Sequence, residues 1–192
     1  AYIARLVAKG YKVAMCDQVE SPSSSKGIVK REVVRVITPG TVMEESMLDE
    51  SKNNYICSVF MSKSAGSAGI SFCDVSTGEL KVTQFSGDYS EVIGEVKNEL
   101  GKFMPKEILV GGNVELLKPL KPFIKDKLSC RIEIPKKDIS ESDSKKILSS
   151  CIEKHKLEKM QLKEKLSSVR CLGNLFDYLK STQKIGLERI GN

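Results

Sequence analysis

The chain has 192 residues, 40% hydrophobic and 29% charged, with a formal net charge of +6. That is an ordinary soluble composition, enough for one or two compact domains. It contains no apolar run approaching the roughly 18 residues of a membrane-spanning helix. In chain order, residues 1–9 give one apolar helical stripe, Ile3, Leu6 and Val7, closed by Gly10 at a C-cap position. This opening reads as a helix already under way and not as a signal peptide, so a piece of a longer protein is expected. A short strand, Lys12–Asp17, precedes a polar loop, residues 19–27. Val33, Val34, Val36 and Ile37 then form a β-branched, extended strand that Pro39-Gly40 ends. One helix and two strands cannot bury both faces of a sheet, so this unit is incomplete by itself.

Residues 41–53 form a polar, acidic connection, and a domain boundary is expected between residues 52 and 53. Three strands follow, Tyr55–Phe60, Gly69–Val75 and Leu80–Phe85, joined by turn-like segments as an antiparallel meander. Ile70 and Phe72 share one face of the second strand; Ser71 and Cys73 share the other. The period then changes. Asp88 and Glu91 make a capping box for a helix with stripe Tyr89, Val92, Ile93, Val96 and Leu100, which Gly101 is expected to end. The consecutive apolar run Ile108-Leu109-Val110 suits a strand buried on both faces, as in parallel pairing. A lysine-rich helix or loop, Val114–Lys127, leads to a last strand, Cys130–Ile134. Meander, helix, buried strand, helix, strand is the order of an α/β ribonuclease-H-like mixed sheet. From Ser142 strand signals vanish: residues 144–165 read as a solvated helical region. A firmer helix then carries Leu166, Val169, Leu172, Leu175, Phe176 and Leu179 on one side.

The chemistry-bearing residues are sparse. The six cysteines are scattered without a Cys-x-x-Cys, and the single histidine, His155, lies among lysines, so free thiols are expected and no metal site. Gly101-Lys102 lacks the glycine spacing and the hydroxyl of a phosphate loop. Asp74 stands at a strand end, where a two-metal nuclease would keep a carboxylate, but only Glu79 lies near it in sequence; organising the Ser76-Thr77-Gly78 turn is the competing role. Lys26, Lys30, Arg31 and Arg35 form the one tight basic group of the first part, suited either to DNA phosphates or to a charged strand edge. Residues 113–192 carry 18 basic and 11 acidic side chains, but Phe123 is the single aromatic among the lysines of 113–165, where single-strand binding would need several.

Four blocks carry a resemblance. Gly10-Tyr11-Lys12-Val13-Ala14-Met15-Cys16-Asp17-Gln18 and the run from Lys30 to Thr41, with Lys26-Gly27 between them, resemble the MutS family of bacterial DNA mismatch-recognition proteins. So do Asp74-Val75-Ser76-Thr77-Gly78-Glu79 and Tyr178-Leu179-Lys180-Ser181-Thr182-Gln183-Lys184. Asp17 departs conservatively from the usual glutamate, and residues 86–165 rest on pattern alone. The resemblance implies the end of the mismatch-binding domain over 1–52, the connector domain over 53–165 and a helix leading into the helical core over 166–192. It implies a cytoplasmic, homodimeric parent ATPase that clamps DNA at mispaired bases and recruits MutL. The family's mismatch-probing phenylalanine and glutamate and its phosphate loop are not in this chain, so no catalytic residue, metal or cofactor is assigned here; ATP and magnesium belong to the parent. What is implied for this segment is a mechanical and docking link. Within residues 136–150, Lys145 and Lys146 are the candidates for contacting MutL, with a solvent-exposed linker as the alternative. The rival from another class is a ribonuclease-H-like, metal-dependent nuclease.

Overall fold

A computed structural model of the chain describes residues 2–18, 29–49, 51–135, 137–183 and 190. The N-terminal unit is a helix, α1 (Tyr2–Ala8), and an antiparallel strand pair, β1 (Val13–Gln18) and β2 (Arg31–Ile37), with a register shift between Met15 and Cys16. Gly10 turns the chain from α1 into β1 at φ +83°, a conformation that suits glycine. Val7, Ile37 and Val42 make a small core, while Leu6, expected in the buried stripe, faces solvent with Tyr2 and Tyr11. The connection at 41–49 is less polar in its surroundings than expected, because Thr41 and Val42 are buried.

The larger sheet contains β3 (Tyr55–Met61), β4 (Ser67–Asp74), β5 (Leu80–Ser86), β6 (Glu107–Gly112) and β7 (Arg131–Glu133), in the order β5-β4-β3-β6-β7. β3, β4 and β5 pair antiparallel as the expected meander; β6 pairs parallel with β3, and β7 parallel with β6. This is the mixed ribonuclease-H-like topology. Side-chain alternation divides the core into two layers. Tyr55, Cys57, Val59, Ile70, Phe72, Ile108 and Val110 face helix α2 (Tyr89–Phe103) and the helical segment Val114–Leu128, which includes α3 (Lys121–Phe123). Ile56, Cys73 and Leu109 face the opposite way, toward α4 (Glu141–Cys151) and α6 (Leu166–Gln183).

Two expectations are corrected. The Asp88–Glu91 capping box starts α2, but the helix runs through Gly101 to Phe103 and closes at Met104, in the left-handed region at φ 46° just before Pro105. Gly101 instead lies exposed in the last turn of α2, where a Cβ would meet the Phe123 ring at an ordinary contact distance of 3.4 Å. Residues 144–165 are not uniformly solvated. Besides the short, exposed α5 (Lys154–Lys159), they include α4, which buries Ser144 and Leu148 against α6. There Gly173 allows the approach, since a Cβ would fall 2.2 Å from Ser144 Oγ. Helix α6 forms where the apolar stripe was expected. It covers the second face, burying Val169, Leu172, Leu175, Phe176 and Leu179, and Gly69 lets it come so close that a Cβ would stand 2.1 Å from the Ser167 carbonyl. Burial of each of these five apolar side chains contributes about 1.5–3 kcal/mol.

Candidate interdomain joint

The N-terminal unit meets the sheet at a buried carboxylate. Glu107 opens β6 and is fully buried. The turn after β2 is drawn tight by Thr38 and Thr41: the Thr38 amide donates to Thr41 Oγ1 at 3.0 Å, and the two hydroxyls lie 2.9 Å apart. That turn presents the Thr38 hydroxyl and the Gly40 amide, the latter at 3.2 Å, to Glu107 Oε2. From α6, the Tyr178 hydroxyl donates to Oε1 at 2.6 Å. Three donors on one buried carboxylate satisfy a charge that would otherwise be expensive to bury. Burial, reinforced by the neighbouring Glu107 carboxylate, pushes the Tyr178 hydroxyl above its ordinary value and keeps it a donor. Gly40 is sterically required at this contact, where a Cβ would stand 2.8 Å from Ile56 Cβ and 2.9 Å from Glu107 Cβ. Asn54 closes the turn by donating from Nδ2 to the Pro39 carbonyl at 3.0 Å.

Two further contacts flank this pin. On one side Arg35 pairs with Glu44 at 2.7 Å and donates from Nε to Gln183 Oε1 at 2.9 Å, while Gln183 Nε2 donates to the Val36 carbonyl at 3.3 Å. On the other, Lys12 of the N-terminal unit pairs with Glu133 of β7 at 2.8 Å, and Arg131 donates to the Gly10 carbonyl at 2.9 Å. Partial burial pushes the Glu133 carboxyl up, but Lys12 and then Arg131 outweigh it and hold it below its ordinary value. The Lys12 ammonium also lies over the Tyr178 ring, 5.1 Å from its centroid. The joint therefore combines an anionic pin, an arginine clamp and a lysine pair, each spanning both units.

The described members of the expected basic group make different contacts. Lys26 lies outside the described residues. Lys30 pairs with Glu32 at 2.7 Å, and Arg31 is exposed at the start of β2. Arg35 is turned inward and held by the joint, so its guanidinium is committed to Glu44 and Gln183 instead of facing a phosphate. Lys145 and Lys146 are exposed on α4 and pair within that helix, with Glu141 at 2.5 Å and with Asp143 at 3.8 Å. Their segment is only partly surface, because Ile139, Ser144 and Leu148 are buried. Asp74 takes the turn role: Oδ1 accepts from the Ser76 amide at 2.9 Å and the Thr77 amide at 3.3 Å, and Oδ2 from the Asn54 amide at 2.9 Å. Gly101-Lys102 lies inside α2, in no position to curl around a phosphate, so these residues do not fit ATP with magnesium. Among the described residues no group of three or more His, Cys, Asp or Glu is arranged to hold a metal ion.

Sequence reasoning passed over Glu107, Tyr178, Thr38 and Gln183. The one available signal was an acid heading a strand apolar on both faces, which requires a dedicated partner.

The family model described as MutS domain II matches residues 54–190, and that of MutS domain I matches residues 1–46. The chain is similar to "DNA mismatch repair protein MutS" of Ruminiclostridium cellulolyticum, at 40% identity over 98% of this chain and 21% of the relative. It is 42% identical to the protein of the same name from Alkaliphilus oremlandii, over 98% of this chain and 21% of that one. With the Staphylococcus aureus protein of that name the identity is 39%, over 99% and 19%. The chain thus spans about a fifth of the length of these curated relatives. A solved nuclease domain of the large terminase subunit of bacterial virus Sf6 aligns at TM-score 0.37 and 9% identity, covering 47% of this chain and 41% of that one, too slight a likeness to carry an argument.

Proposed function

This chain belongs to the MutS family, and from that premise we propose that it links the family's mismatch sensor to the rest of the protein and offers a docking surface to MutL. The observation that carries the linking role is the Glu107 pin, where the turn after β2, the head of β6 and helix α6 meet on one carboxylate. A sensor domain that must report on bound DNA needs a stiff mount, and a buried, fully hydrogen-bonded polar network is a rigid one. In this reading the parent is a cytoplasmic, homodimeric ATPase that clamps DNA at mispaired bases, with ATP and magnesium bound outside this segment. The segment itself is no enzyme. Its contact with DNA is weak and made through phosphates, by Lys26, Lys30 and Arg31 on the N-terminal unit. The exposed face of α4 around Lys145 and Lys146 is the surface offered to MutL.

Two titrations on the chain test this. Fluorescence anisotropy on matched and G·T-mismatched duplexes should give coincident curves that weaken steeply with salt, as phosphate contacts release counterions. Titration with MutL should show binding that charge reversal at Lys145 and Lys146 weakens without lowering the melting temperature. A mismatch preference above about 10-fold, worth about 1.4 kcal/mol, contradicts the first part. Absence of MutL binding to the unmutated chain contradicts the second.

A further inference from the structure

We infer that the outer edge of β5 is a docking site for an extended, basic segment of another protein, which pairs with it as an added strand. The surface is distinct from α4, and the inference does not depend on the MutL reading.

β5 ends the sheet on one side and pairs with β4 alone. The Gly87 amide donates to the Gly66 carbonyl at 3.2 Å and the Asp74 amide to the Glu79 carbonyl at 3.0 Å, so antiparallel alternation directs the backbone of Lys81, Thr83 and Phe85 toward β4. Leu80, Val82, Gln84 and Ser86 therefore turn their N–H and C=O groups outward, and among the described residues none of these groups has a hydrogen-bond partner. Edge strands are usually blunted by shortness, proline, a bulge or charge. β5 instead runs for seven residues in unbroken register, without proline and with Lys81 as its single charge. The opposite edge, β7, has only three residues, two of them Arg131 and Glu133, and contacts Gly10 and Lys12 of the N-terminal unit. One edge is guarded and the other is left open.

The flanks of the open edge define the partner. Phe85 packs toward α2, and a groove of about 450 Å³ beside it is lined by Val92, Gly94, Glu91, Glu95 and Asn98. A Cβ at Gly94 would meet no atom within 4 Å, so the groove is open there. Glu91 helps to cap α2, but Glu95 has no hydrogen bond or ion pair among the described residues. The lining holds two carboxylates and no base, and Lys63 of the β3–β4 hairpin pairs with neither. Lys81 and Lys102, toward the other end of the edge, already pair with Glu79 at 2.5 Å and Glu99 at 3.5 Å, so a second copy laid antiparallel would bring no uncommitted base to the groove. On the other face of the edge, the Ser168 amide of α6 donates to Gln84 Oε1 at 3.2 Å, which sets the exposed Leu166 nearby. Lys163 and Lys165, with Glu164 between them, precede Leu166, so an uncharged side chain suits that face. The occupant is thus a strand with basic side chains toward α2 and aliphatic ones toward α6; main-chain bonds supply affinity and the flanks specificity.

The probe is an alternating lysine-valine octapeptide, titrated into the whole 192-residue chain and followed by calorimetry and amide hydrogen exchange. It should slow exchange of the Val82 and Gln84 amides about 10-fold at saturation. An alternating glutamate-valine octapeptide should not. N-methylation of alternate peptide amides keeps the charge but removes donors, and should weaken binding about 10-fold or more. Glu95→Gln should weaken it about 3-fold, the scale of one exposed ion pair. Val82→Pro removes an outward N–H without touching the β4 ladder and should match the N-methylated peptide; if that variant does not fold, the N-methylated peptide makes the comparison on the parent chain. Unchanged exchange at Val82 and Gln84, or equal affinity for the charge-reversed or N-methylated peptide, overturns the inference. Protection of these amides that rises with chain concentration in the absence of peptide also overturns it, by making the occupant a second copy.

Discussion

Tyr178 and Glu107 meet across 2.6 Å at a point where three separated stretches of chain converge, and the other oxygen of the same carboxylate holds the turn after β2. Removing the phenol and replacing the carboxylate should therefore have graded effects. Tyr178→Phe removes one donor and leaves Glu107 with two, a loss of about 1–2 kcal/mol. Glu107→Gln forces an NH₂ group against either the tyrosine or the threonine hydroxyl and should cost about 2–3 kcal/mol. Urea unfolding of both variants checks the order; equal stability of Glu107→Gln and the parent would show that the carboxylate is not the pin.

Acid should loosen the same joint from another side. Partial burial raises the Glu133 carboxyl, but Lys12 and Arg131 prevail and hold it below its ordinary value of 4.5. With the folded-state value depressed, the unfolded chain takes up this proton first on acidification. The contribution of the pair is thus complete above pH 4.5 and is lost as the pH falls through the folded-state value. Melting temperatures measured downward from pH 6 should fall less in Glu133→Gln than in the parent over that window. Parallel profiles would exclude the pair from the acid response.

The sheet was legible in the sequence because its signals are local. Alternation on β4 separated Ile70 and Phe72 from Ser71 and Cys73, and the consecutive apolar residues of β6 announced burial on both faces. The joint was not legible, for a physical reason. Arg35 reads in sequence like its basic neighbours, and what sets it apart is Gln183, 148 residues away. Gly101 shows the same limit: glycine is common at helix ends, yet here α2 continues through it to Phe103 and closes at Met104. The amphipathic stripe of α6 specified that a face would be buried without specifying against what.

The cysteines offer a check on the two core layers. Burial pushes the Cys73 and Cys171 thiols up to about 12 and raises Cys57 well above its ordinary value. Cys16, by contrast, is exposed, and Cys151 is partly so. At pH 8 iodoacetamide should modify Cys16 and Cys151 first and reach Cys57, Cys73 and Cys171 only on unfolding, since the thiolate is the reacting form. Peptide mapping by mass spectrometry reads the order. Early modification of Cys171 would mean that α6 does not cover the sheet as described.

The account turns on the N-terminal unit and the sheet opening together, and native-state hydrogen exchange of the chain and of Thr38→Val measures this most directly. Valine keeps the shape of Thr38 but removes the hydroxyl that reaches Glu107. In the parent, the amides of Gly40 and β2 should share the protection of their neighbours in β3. In Thr38→Val they should exchange at least about 10-fold faster, while the β3 amides of Cys57 and Val59 stay within about twofold of the parent. Amides of β2 that already exchange independently of β3 in the parent, and do not respond to Thr38→Val, would contradict a mechanical link through Glu107.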